Sequence, residues 1–177
     1  MTIEKRFRAA ELRTKGRRLE GYAALFGAEA EIGDDLVETI APGAFKATLA
    51  TRTDILALVD HDPSRVLART KSRTLRLSED SRGLAFDLDL PDTQAGRDVL
   101  ALAERGDLGG MSFGFSAVDD QISGNRRELR TVELYEISVV AAFPAYPDTV
   151  VQARARTTRI VGIDHASLTL KLLELDA

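Results

Sequence analysis

The sequence predicts a mainly β (α+β) domain, in which a small, mostly antiparallel β-barrel is flanked by a few helices. Three observations lead to this prediction. Segments that alternate between apolar and polar residues recur along the chain, as in half-buried strands. Turn residues separate most of these segments from their neighbours, and only two segments have helical character. With 177 residues, 44% of them hydrophobic and 29% charged, the chain can build one domain with a packed core.

The N-terminal region predicts a hairpin followed by a short helix. Segments 7–12 and 19–26 flank a turn at Thr14-Lys15-Gly16. In the second segment, every other residue from Leu19 is apolar or small, which favours a half-buried strand. After an acidic loop, residues 41–45 open a short helix with a proline in its first turn.

The middle of the chain predicts a buried strand and a second hairpin. Residues 54–59 are almost entirely apolar, which is typical of a strand covered on both faces. This strand ends at the turn Asp60-His61-Asp62-Pro63. Two alternating segments, 74–77 and 84–90, then predict a hairpin.

The next part predicts the longest helix and two long strands. The helix covers residues 93–105, with Thr93 as its N-cap and a glycine at residue 106 that ends it. Strands follow over residues 108–118 and 128–143. In the first of these, bulky apolar residues alternate with Ser112, Gly114 and Ser116, so one face is apolar and the other carries small residues.

Composition excludes several classes of function. The formal net charge of -4 argues against a nucleic-acid partner, because nucleic-acid binders present a basic face. The chain has no cysteine and two histidines, which excludes thiol nucleophiles, thiolate zinc sites and sites built from several imidazoles. We therefore expect no metal and no cofactor. Neither a signal peptide nor a membrane-length apolar run is present, so we expect a cytoplasmic protein without a membrane partner.

His61 is the first candidate for chemistry, because it follows a buried strand at a point where folds often present functional groups. A simpler interpretation is a loop histidine that hydrogen bonds to Asp60 or Asp62. The His-Asp pair is also found in metal-dependent phosphohydrolases. Those enzymes need further ligands, and only His165 is left to supply an imidazole.

Ser112 is the second candidate, and lies between Gly110 and Gly114 in a strand. A nucleophilic serine needs an accessible hydroxyl, which small neighbours can provide. The strand context differs from the strand-to-helix elbow of α/β-hydrolases. The alternative is a structural strand in which the glycines allow close packing or a bulge.

Glu136 is the third candidate, because a carboxylate among apolar strand residues is costly unless it has a partner. One such partner would be an imidazole that the carboxylate orients. The alternative is a residue that faces outward. The acids that compete for this role are Asp148, Glu133 and the pair Asp60 and Asp62.

Together the three candidates supply a hydroxyl, a base and an acid, which is the set that serine hydrolases use. We expect Ser112 and His61 to lie on adjacent strand ends. At these residues the sequence resembles the prohead maturation proteases of tailed bacteriophages, and the matching pieces span residues 5 to about 150. They are Leu19–Ala23, Ile40–Phe45, Asp60-His61-Asp62, Gly110–Phe115, Tyr135–Val140 and Pro144-Ala145-Tyr146.

The resemblance implies a serine protease with a herpesvirus-assemblin-like fold. Carried over by motif, Ser112 is the nucleophile, His61 the general base and Glu136 the residue that orients His61. It also implies a prohead protease domain over residues 1–150. The segment 151–177 is then a C-terminal extension, for which flexibility, self-cleavage and scaffold binding are the candidate properties.

The implied substrate is the scaffolding part of the major capsid protein, with the protease itself as a second candidate substrate. The implied location is the procapsid, in the cytoplasm of the bacterial host. The portal protein is a further candidate partner, and a homo-oligomer is a candidate state. Two alternatives remain open: a catalytically silent procapsid scaffold or assembly factor of the same fold, and a β-barrel interaction module unrelated to capsids.

Overall fold

The computed structural model describes residues 3–8, 12–32 and 35–141, and in these ranges the chain is mainly β, as predicted. The elements, in chain order, are β1 (Glu4–Arg8), β2 (Leu12–Lys15), β3 (Arg18–Leu25), β4 (Ala30–Ile32), β5 (Leu36–Ile40), α1 (Lys46–Thr51), β6 (Leu56–Val59), β7 (Asp62–Arg69), β8 (Leu75–Glu79), β9 (Gly83–Asp89), α2 (Gln94–Arg105), β10 (Gly110–Ser123) and β11 (Arg126–Val140).

The strands form two sheets, and the expected closed barrel is not found among the described residues. The smaller sheet has the order β2-β3-β9-β8. In the larger sheet the order is β1-β10-β11-β5-β4, while β6 also pairs with β11 and β7 pairs with β6. The long strand β11 pairs in parallel with β5 near its start and with β6 near its end. The larger sheet therefore branches at β11 instead of closing on itself.

The predicted elements differ from the observed ones mainly at the N-terminal end. The first hairpin is formed by β2 and β3 alone, because β1 pairs with β10. The first helix begins at Lys46, and residues 42–45, where it was expected to begin, form a turn. By contrast, α2 has the predicted ends: the hydroxyl of Thr93 accepts a hydrogen bond from the Gly96 N–H, and Gly106 adopts a left-handed φ of 75°.

The core lies against one face of β10 and β11. Met111, Phe113 and Ile137 are at most 2% exposed, and the ring of Phe113 packs edge-on against that of Phe45 with centroids 5.8 Å apart. Side chains alternate between the two faces of a strand. The opposite face of the same strands therefore carries the serines and the carboxylate that the sequence singled out.

The longer described helix, α2, has 12 residues, and no helix in the described ranges is long and apolar enough to cross a membrane.

Candidate active site

A tight turn presents His61. Val59 in β6 pairs with Asp62 in β7, so Asp60 and His61 alone connect the two strands. Their φ angles are 50° and 61°, the left-handed values that the favoured two-residue hairpin turns require. The backbone N–H of Asp60 donates to the Val139 carbonyl at 2.9 Å, which extends the pairing with β11. The turn is thereby held against the end of β11.

The imidazole of His61 contacts the carboxylate of Glu136. Nδ1 and Oε1 are 2.6 Å apart, and the side chains are only 5% and 11% exposed. An ionised carboxylate can only accept, so Nδ1 is the donor in this contact, and in the neutral imidazole Nε2 is then the nitrogen with the lone pair. Glu136 thus lies inward instead of facing solvent, and it is the acid that His61 contacts. Asp62 instead accepts from Ser64, and Asp60 from the N–H of Ala141.

Ser138 is a member of this cluster that is not among the site residues predicted from the sequence. Its hydroxyl donates to the second carboxylate oxygen of Glu136 at 2.6 Å and accepts the backbone N–H of His61 at 3.2 Å. The signal was present in the sequence. Residues two apart in a strand share a face, so Ser138 lies beside Glu136.

Gly114 makes room for the carboxylate. It is paired with Glu136 across β10 and β11, and a Cβ placed on it would lie 2.4 Å from Oε1. The sequence predicts that this glycine gives access to Ser112. In the structure, the space beside Gly114 is filled by the carboxylate of Glu136.

Ser112 lies on the same face, paired with Phe7 of β1 and with Ser138 of β11. Directly paired residues have Cβ atoms about 5 Å apart. The expected adjacency to His61 is wrong, because β11 lies between β6 and β10. Among the described residues, the hydroxyl of Ser112 and Nε2 of His61 are the two buried side-chain polar atoms without a hydrogen-bond partner.

The competing acid Glu133 is engaged elsewhere. Its carboxylate pairs with Arg52 at 2.7 Å and accepts the hydroxyl of Tyr135 at 2.9 Å. Asp148, His165 and the motif Pro144-Ala145-Tyr146 lie outside the described residues. Within the described ranges, no three His, Asp or Glu side chains are grouped so that they could hold a metal ion.

The cluster has the parts needed for proton transfer. The carboxylate of Glu136 contacts the imidazole of His61. On the same face of β10 and β11, the hydroxyl of Ser112 is buried without a hydrogen-bond partner among the described residues. An imidazole base can take a hydroxyl proton as the oxygen attacks an electrophilic carbon.

Comparison with known proteins gives three similarities. The family described as "Caudovirus prohead serine protease" matches residues 4–162. The prohead protease of Enterobacteria phage HK97 is 35% identical over 130 residues, which are 71% of this chain and 55% of that protein. The chain therefore spans about half the length of this curated relative.

The third similarity concerns the fold. The structure of the bacteriophage T4 capsid assembly protease matches with a TM-score of 0.50 and 10% sequence identity, covering 80% of this chain and 97% of that one. At this identity the match supports the architecture alone.

Proposed function

Because this chain belongs to the caudovirus prohead serine protease family, we propose that it is a serine endopeptidase of capsid maturation. The substrate we propose is the scaffolding part of the phage major capsid protein, with the chain itself as a second substrate. One observation carries the mechanism. The imidazole of His61 is oriented by Glu136 at 2.6 Å, and the only unpartnered buried side-chain polar atoms of the described residues are its Nε2 and the hydroxyl of Ser112.

We assign the nucleophile to Ser112, the general base to His61 and the orienting acid to Glu136. The competing hydroxyl in the cluster belongs to Ser138. It already donates to Glu136 and accepts from the His61 N–H, so its proton is committed. The hydroxyl of Ser112 has no such commitment. This difference favours Ser112.

In the proposed reaction the Ser112 oxygen attacks the scissile carbonyl carbon while Nε2 of His61 takes the hydroxyl proton. The imidazolium that forms is stabilised by Glu136 and then gives its proton to the leaving amine. Water, deprotonated by the same imidazole, hydrolyses the acyl-enzyme. The first step needs the Ser112 oxygen and Nε2 about 2.6–3.2 Å apart. Neither atom has a hydrogen-bond partner in the structure, so the proposed mechanism requires the two to approach each other when substrate binds.

The wider role we propose follows the relatives. The matching family is described as prohead serine proteases, and the curated relative is named a prohead protease. We infer action inside the procapsid in the host cytoplasm, on the capsid protein, with the portal protein and a second copy of the chain as candidate partners. We also propose that the chain has a herpesvirus-protease-like fold. In this proposal, residues 1–150 form the protease domain and residues 151–177 form a C-terminal extension.

A labelling experiment tests the proposal. The wild type, Ser112→Ala and Ser116→Ala are purified, treated with a fluorophosphonate probe and separately co-expressed with the capsid protein from the same genome. Ser116 is a suitable control because it is a buried serine on the same face of β10. We expect labelling and capsid-protein trimming with wild type and Ser116→Ala, and neither with Ser112→Ala.

The alternatives give different results. A catalytically silent assembly factor would bind the capsid protein but would leave it uncut and take up no label. If Ser112→Ala is folded by circular dichroism and still trims at the wild-type rate, Ser112 is not the nucleophile.

A further inference from the structure

Ser138 stands at the centre of the candidate site without a role in the proposed reaction. It is fully buried, and its hydroxyl joins the acid to the backbone of the base. We propose that Ser138 is a positioning residue, which fixes Glu136 and His61 in the one arrangement that can activate Ser112. The inference rests on the proposed function.

The three contacts form a closed ring. Ser138 donates to Oε2 of Glu136, Oε1 of Glu136 contacts Nδ1 of His61, and the backbone N–H of His61 donates back to Ser138. A hydroxyl has one proton and two acceptor sites, so this arrangement uses the only proton it has. Both carboxylate oxygens of Glu136 are thereby held by a contact, which fixes the plane of the carboxylate relative to the imidazole of His61.

The backbone of His61 needs such support. Its φ of 61° lies in the left-handed region, which residues with a Cβ disfavour. Two backbone N–H groups of the turn donate to β11: that of Asp60 to the Val139 carbonyl, and that of His61 to the hydroxyl of Ser138. The hydroxyl that accepts the second hydrogen bond, that of Ser138, also donates to Glu136. Loss of the hydroxyl would therefore release the imidazole at its backbone and at its carboxylate partner together.

Solvent cannot readily replace the hydroxyl. Ser138 is 0% exposed and Glu136 is 8% exposed, so truncation leaves a buried carboxylate oxygen and a buried N–H without a partner. A buried polar group without a partner is costly, so we expect both groups to shift in the variant. A shift of about 1 Å at a catalytic group can lower a rate by about 10²-fold.

The test compares Ser138→Ala with a matched variant, Thr48→Val. The hydroxyl of Thr48 accepts the Leu134 N–H at 3.1 Å, so it is also a buried hydroxyl that supports β11, outside the candidate site. Rates of fluorophosphonate labelling are measured over a range of probe concentrations, which separates the maximal rate from probe affinity. Melting temperatures are measured in parallel.

We expect both variants to lower the melting temperature, and only Ser138→Ala to lower the maximal labelling rate, by about 10²-fold with probe affinity unchanged. Ser138→Cys keeps a weak donor and a weak acceptor on a somewhat larger side chain, so we expect an intermediate rate. If Ser138→Ala does not fold, the labelling rate of Ser138→Cys is compared with that of Thr48→Val instead. In a Glu136→Gln background, Ser138→Ala should have a much smaller effect, because residues that act through one another are not additive.

Two results would overturn the inference. One is a Ser138→Ala protein that labels at the wild-type rate. The other is an equal loss of labelling in Thr48→Val, which would indicate a general effect of β11 stability. A Ser112→Ala arm separates these results from a failure of the proposed function: labelling of that variant would refute the function and the inference together.

Discussion

Gly114→Ala tests the arrangement of the acid with a single methyl group. A Cβ at residue 114 would lie 2.4 Å from Oε1 of Glu136 and 3.1 Å from its Cγ and Cδ. Ordinary contact begins at 3.4 Å, so the methyl group and the carboxylate oxygen must separate by about 1 Å. The oxygen that would move is the one 2.6 Å from Nδ1 of His61. The substitution therefore breaks or stretches this contact without removing a side chain.

The magnitude follows from that displacement. A misplacement of about 1 Å at a catalytic group can lower the rate by about 10²-fold, which corresponds to about 2.7 kcal/mol of activation free energy. Overpacking a well-packed site also lowers the free energy of unfolding, by about 1–3 kcal/mol. We expect a folded protein with a lower melting temperature and about one hundredth of the wild-type labelling rate.

Gly83→Ala is the matched control. Gly83 also lies in a strand, β9 of the smaller sheet, and a Cβ there would lie 2.0 Å from the Ala24 carbonyl oxygen. Both variants are labelled with fluorophosphonate at a temperature at which circular dichroism shows them folded. Gly83→Ala should lose stability but keep the wild-type labelling rate. Wild-type labelling by Gly114→Ala would show that the contact between Glu136 and His61 is not needed for the chemistry.

Three further predictions concern the acid, pH and metals. Glu136→Gln should lower labelling strongly but leave residual turnover, because the acid orients the base without taking the proton; Glu133→Gln should label normally, and the reverse result would reassign the acid. Hydrogen bonds from Arg76 hold the pKa of Asp87 and of Asp89 below the usual 3.8. Their stabilisation is therefore present above that value and is lost as the pH falls through the lowered pKa. Calorimetry should show a melting temperature that falls more steeply below about pH 4 in wild type than in Arg76→Gln, whereas parallel curves would contradict the linkage. Dialysis against EDTA should leave labelling unchanged, and a loss restored by zinc would contradict the metal-free mechanism.

Sequence reasoning showed which residues share a strand face better than it showed the arrangement of the strands. Alternation in β10 and β11 shows which residues share a face, and this placed Ser112 opposite the core correctly. Alternation does not show which strand lies beside which. The parallel pairing of β6 with β11 depends on contacts between residues about 80 positions apart, such as Glu136 with Leu56. For this reason the strand between Ser112 and His61 was not foreseen.

Predictions of turns and strands from neighbouring residues were wrong where the same residues fit two kinds of structure. Asp62-Pro63 indicates a turn, yet β7 begins at Asp62, because proline is tolerated at the start of a strand. Residues 7–12 were interpreted as one arm of a hairpin, whereas Phe7 lies in β1 and Leu12 in β2. The role of Ser138 was overlooked for another reason. Serine is common on small-residue faces, and only the position of Glu136 gives it a distinct partner.

At the turn of Asp60 and His61, the residues that would make the fold most stable are not the residues that the proposed reaction needs. At residue 61 the left-handed φ favours glycine, and the backbone of another residue there costs about 1–2 kcal/mol. Glycine, however, has no imidazole to face Glu136. A family of variants selected only for resistance to heat would therefore drift towards asparagine and glycine in this turn and lose the proposed activity. A stabilised form of the proposed enzyme has to be sought at positions far from it, in the smaller sheet or on the exposed face of α2.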